Sequence, residues 1–180
     1  MYDETLALVL DFDRRKPAAS LPLKLDALFR RLRAAADDPA GFTIEDEIWE
    51  TWISHSDPEL AAILNAVIAA TASNEYERAE SILSTLLARA PDYAEAWNKR
   101  ATLDFLRRRD DDSVAAIART LALEPRHFGA IAGFAQICLR NGDPTSARIA
   151  FEVALRINPR LVAVRIAVEE LKRAQPITIH

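Results

Sequence analysis

Apolar residues recur along this chain at intervals of three and four. Leu25, Leu28, Phe29 and Leu32 form one such stripe. Ile44, Ile48 and Trp52 form a second, with Trp49 and Ile53 beside it. That spacing gathers the apolar side chains on one face of a helix, which then needs a partner to bury it. Asp37-Asp38-Pro39-Ala40-Gly41 separates the two stripes and concentrates turn formers. Residues 20–57 are therefore expected to form a helical hairpin, with Thr43 and Asp46 as a weak capping box on its second helix. Ser56-Asp57-Pro58-Glu59 then supplies a polar cap, a first-turn proline and an acid, and Asp143-Pro144 repeats the device. Before the hairpin, residues 1–19 are expected either to hold a short helix or to be a mobile segment, with Pro17-Ala18-Ala19-Ser20 as linker.

A longer period overlies the helical one. Pro91, Pro125 and Pro159 recur at a constant spacing of 34 residues, each after an aliphatic segment. The unit ending at Pro159 has the fullest pattern: Phe134 and Ala135 as a large–small pair, Gly142 as a turn residue, then Ala147, Phe151 and Ala154. The middle unit supplies Trp97, Ala101 and Pro125, and the first Ala66, Tyr76, Ala79 and Pro91. The physical logic is that two antiparallel helices approach closely only where one facing residue is small. The closing proline stops a helix and directs the next unit.

Over about residues 60–159 this pattern resembles the tetratricopeptide repeat. Segments 92–102 and 123–130 are similar to small tetratricopeptide proteins of α-proteobacteria, and so are the Leu25–Phe29 and Ile48–Trp52 segments. The resemblance implies an all-α helical solenoid of three helix pairs, at about 58–91, 92–125 and 126–159. A hairpin cap at 20–57 and a capping helix at 160–174 would flank it, leaving a tail at 175–180. Shifting the register back by one repeat puts Arg33 and Glu45 in small-residue slots, so the hairpin is not a fourth unit. The middle unit departs from the pattern. Arg100 and Asp104 take the slots of a leucine and a tyrosine, Ser113 the second-helix alanine, and Arg108 the turn glycine. Arg100 and Asp104 are four apart and are expected to pair, as a structural ion pair or as a groove contact.

In proteins of this kind the first helix of each pair lines a concave groove. By register the groove residues here are Leu64, Asn65 and Ile68, then Asn98, Lys99 and Thr102, then Ala132 and Gln136, with His127 at the junction. Asn98 and Gln136 suit a peptide backbone and Lys99 an acidic group. Gly129 and Gly133 leave room for a bulky partner residue. The slots that seize a C-terminal carboxylate in some family members read Leu64, Ile68, Lys99, Gly129 and Gly133 here. Only one is charged, so no carboxylate-clamp chaperone tail is expected as partner.

Composition narrows the function further. Half of the 180 residues are apolar and 28% are charged, the balance of a folded chain. The net charge of -4, with signs mixed, offers no basic face for nucleic acid. Arg107-Arg108-Arg109 followed by Asp110-Asp111-Asp112 fits the carbonyl end of one helix and the amide end of the next. No run is long enough to span a membrane, and the first residues do not form a signal peptide. The expectation is therefore a cytoplasmic chain as written, or a periplasmic one if the native N-terminus differs. His55, His127 and His180 are scattered, Cys138 lies in an apolar run as a core residue, and Glu45 to Glu50 make a solvated face. No catalytic, metal or cofactor-binding motif is present. The expectation is a non-catalytic protein- or peptide-binding scaffold that uses its groove. The alternative is an assembly subunit that binds through the N-terminal hairpin or the convex face.

Overall fold

A computed structural model describes residues 1–35 and 40–174. Its described residues form ten helices. α1 is Tyr2–Leu10, α2 Lys24–Ala34 and α3 Ala40–Ile53. Three pairs follow: α4 (Pro58–Ala72) with α5 (Tyr76–Arg89), α6 (Ala94–Leu106) with α7 (Asp110–Leu123), and α8 (Phe128–Arg140) with α9 (Pro144–Ile157). α10 (Val162–Ala174) packs on α9. The architecture is an all-α helical solenoid. Most of the expected Asp37–Gly41 turn, and the tail from residue 175 with His180, lie outside the described residues.

The repeat shows in the backbone as well as in the residue types. Among the described residues, Asn74, Arg108 and Gly142 are the three with left-handed φ, at 60°, 62° and 77°. They stand 34 residues apart, each in the turn between the two helices of a pair. Glycine and asparagine tolerate that conformation, whereas arginine bears a cost of about 1–2 kcal/mol. The helix starts use side chains where the sequence offers them. Asp57 accepts from the Glu59 N–H at 2.8 Å, and Asp143 from the Ser146 N–H at 3.0 Å. Between pairs, Glu124 and Asn158, one repeat apart, are both buried and accept from the N–H two residues on.

Close helix approach rests on the small residues named above: Ala79, Ala135 and Ala147 are wholly buried. Phe128, Phe134 and Phe151 fill the space beside them, each contributing roughly 1.5–3 kcal/mol of burial. Ser113, in the alanine slot, is also buried and gives its hydroxyl proton to the Ala101 carbonyl at 2.7 Å. The substitution therefore leaves no orphaned donor.

The N-terminal residues pack against the later helices. Residues 2–10 form a helix, with Val9 buried, that packs against α7 and α9. The hairpin helices pair with each other, but their aromatic face does not close the first repeat. Trp52 stacks on His127 with ring centroids 4.0 Å apart, and Trp49 meets Phe128 edge-on at 5.3 Å. One buried core joins α1–α3 to α7–α10, while a second fills the α4–α5 pair and one side of α6. Apolar stripes specify that a face must be covered and leave the partner open; here aromatic stacking over the α7–α8 junction supplies it.

Candidate functional site

The first helices of the pairs are neighbours, α4 beside α6 and α6 beside α8, and together they form one wall. Asn65 on α4, Thr102 on α6 and Gln136 on α8 are exposed on it. The Thr102 hydroxyl donates to the Asn98 carbonyl at 3.0 Å, which leaves it an acceptor toward solvent.

Between α6 and α8 lies an open cavity of about 200 Å³, bounded by Asn98, Thr102, Phe105, Ile117, Gly133 and Gln136 among others. Its floor is apolar and its rim polar. A Cβ added at Gly133 would meet nothing nearer than Ile117 Cδ1 at 3.9 Å, so the missing side chain is open space. Gly129, one turn earlier, differs. A Cβ there would lie 2.6 Å from Trp49 Cη2, so the chain's own hairpin occupies that position. The two glycines expected to make room thus make it for different occupants.

Three expected groove residues converge on one buried acid. His127 is wholly buried. Its Nδ1 accepts from the Ala130 N–H at 3.1 Å, and its Nε2 lies 2.8 Å from Glu95 Oε2. The ring proton therefore sits on Nε2 and is donated to Glu95. Asn98 is only 7% exposed, and its amide donates to the Glu95 carboxylate. Lys99 Nζ lies 2.7 Å from Glu95 Oε1 and also stands over the Trp49 ring. One buried acid thus draws the histidine, the amide and the ammonium together.

That acid, Glu95, escaped the sequence reading. It is 1% exposed and is the hub of the cluster. Burial alone would raise its carboxyl pKa. The hydrogen bond from His127 and the Lys99 ammonium outweigh burial and hold it below the ordinary glutamate value. A signal did exist: Glu95, Asn98 and Lys99 are three and four apart and so share one helix face.

Arg100 and Asp104 do pair, at 2.8 Å, within a larger network. Asp104 is buried and also binds Arg109, while Glu80 of α5 meets Arg100, Arg107 and Arg109. The network ties α5 to α6 and the following turn. Cys138 is buried in the core, where desolvation raises its thiol pKa to about 11.

Among the described residues, no group of three or more His, Cys, Asp and Glu side chains is arranged to hold a metal ion, and no helix is long and apolar enough to cross a membrane. No protein-family model matches the chain. A TPR repeat-containing protein of Rhizobium etli is 32% identical to it over 147 residues, which cover 82% of this chain and 72% of that relative.

Proposed function

The chain belongs to the tetratricopeptide-repeat family, and on that premise we propose that it is a non-catalytic module that holds a protein or peptide partner in the groove formed by α6 and α8. Proteins of this family generally mediate protein binding. The observation that carries the finer reading is the open cavity at Gly133. A dry cavity of ~150 Å³ holds a benzene ring, so the space here suits one bulky apolar side chain of a partner. Thr102 and Gln136 on the rim can bond the partner backbone on either side of that anchor. Asn65 extends the polar wall along α4. Asn98, Lys99 and His127 then act from behind, by fixing the shape of the wall through Glu95.

The alternative, an assembly subunit that binds through its hairpin or convex face, has less support. The aromatic stripe of the hairpin is engaged by His127 and Phe128, and α1 already lies on α7 and α9.

The test is selection of peptides from a random displayed library, followed by measurement of each against a Gly133→Leu variant. The selected peptides should share one bulky apolar residue. Filling the cavity should weaken them at least tenfold, about 1.4 kcal/mol, while the melting temperature holds or rises. Peptides that bind Gly133→Leu as tightly as the wild type would place recognition elsewhere.

A further inference from the structure

A second cavity, of about 320 Å³, lies away from the groove, where the segment after α1 meets α2 and the α7–α8 junction. Arg15, Arg33 and Arg126 line it together with Phe12, Asp13 and Phe29. The arginines there differ in how they are paired. Arg126 is matched by Glu124 at 2.9 Å and Asp26 at 2.6 Å, and its guanidinium lies over the Phe29 ring. Asp13, the acid on the wall, is taken by Arg156 at 3.3 Å.

Among the described residues, Arg15 and Arg33 have no carboxylate partner. Arg15 gives one long hydrogen bond, 3.4 Å, to the Ala122 carbonyl, and its Nη1 is buried without an acceptor. Arg33 is exposed and has no ion pair or side-chain hydrogen bond among the described residues. Two guanidinium groups without counter-ions therefore border one partly enclosed space with aromatic walls.

We propose that this cavity binds the phosphate group of a small phosphorylated molecule. A phosphate monoester carries about -1.5 to -2 charges at neutral pH and has oxygens enough to meet both unpaired guanidinium groups. A carboxylate would leave one of them unmatched. Guanidinium is planar and weakly hydrated, and its fork of donors fits phosphate oxygens in pairs. The apolar rings of Phe12 and Phe29 lower the local dielectric and strengthen that attraction. The cavity is larger than an oxyanion alone requires, so an organic group attached to the phosphate also has room. This proposal does not rest on the groove.

Isothermal titration with sodium phosphate and with O-phosphoserine, at pH 7.5 and at ionic strength held constant with sodium chloride, tests it. Both probes should bind, serine should not, and affinity for O-phosphoserine should fall below about pH 6 as its second phosphate proton returns. Arg33→Gln, at an exposed position without partners, should leave the fold intact. It should weaken both probes about tenfold or more through loss of a charge-assisted contact. Arg15→Gln should do the same, and Lys24→Gln, an exposed cation outside the cavity, should not. Tighter binding of O-phosphoserine than of inorganic phosphate would support an organic group in the remaining space. Heats no larger than those of dilution, or an Arg33→Gln variant that binds as well as the wild type, would overturn the assignment.

Discussion

Gly129 and Gly133 sit one turn apart on α8, and replacing each with alanine should move stability in opposite directions. Alanine gains about 0.5–1 kcal/mol over glycine inside a helix, and that term is common to both sites. At Gly133 the new methyl finds Ile117 Cδ1 at 3.9 Å, an ordinary contact, so Gly133→Ala should stabilise by the full propensity term. At Gly129 it would stand 2.6 Å from Trp49 Cη2 and 3.2 Å from Cζ2. Carbon atoms rest at about 3.5–4.0 Å, so the ring must retreat by roughly 1 Å. It is not free to do so, because Trp52 and Phe128 hold it edge-on at 5.2 and 5.3 Å. Overpacking of that kind costs about 1–3 kcal/mol, and because the propensity gain cancels, this is also the expected gap between the variants. Urea unfolding followed by circular dichroism and tryptophan fluorescence measures it. Adding Trp49→Ala to Gly129→Ala should remove most of the clash term, giving a coupling energy between the two sites. Equal stability of the two alanine variants, or no coupling to Trp49, would refute the seating of the hairpin on α8.

Glu95→Ala should lower stability by about 3–5 kcal/mol, because it leaves buried donors and the Lys99 charge without their acceptor. The folded Glu95 carboxyl is held below its ordinary value, so its contribution is complete above about 4.5 and is lost as pH falls through the folded value. Acid titration of the melting temperature should therefore be flatter in Glu95→Ala than in wild type. Arg108→Gly should raise the unfolding free energy by about 1 kcal/mol, since it relieves the left-handed φ of 62°. The same denaturation assay checks it, and a loss of stability would mean that the arginine side chain contributes more than its backbone costs. Ala147→Leu, at a wholly buried close-approach site, should destabilise by about 1–3 kcal/mol, and an unchanged thermal melt would contradict the tight packing of α8 on α9.

The features legible in the chain were those that act over one turn or one repeat. The apolar stripes specify helices because a three- and four-residue spacing makes a face whatever lies opposite. Pro91, Pro125 and Pro159 mark the 34-residue period, with Gly142 and Arg108 in equivalent turn slots, because backbone sterics operate on the residue itself. The pairing of Arg100 with Asp104 was visible for the same reason. The hairpin partner was not visible. A stripe with Trp49 and Trp52 demands burial equally well against the first repeat or over His127 and Phe128, and only the packed chain chooses. The groove residues divide along the same line. Register placed Asn98, Lys99 and His127 near the wall, yet their direction depends on Glu95, which links to His127 across 32 residues of chain. Hydrogen bonding and desolvation there are properties of a folded neighbourhood. A side chain turns toward the charge it can reach, and what it can reach is set only when the helices have come together.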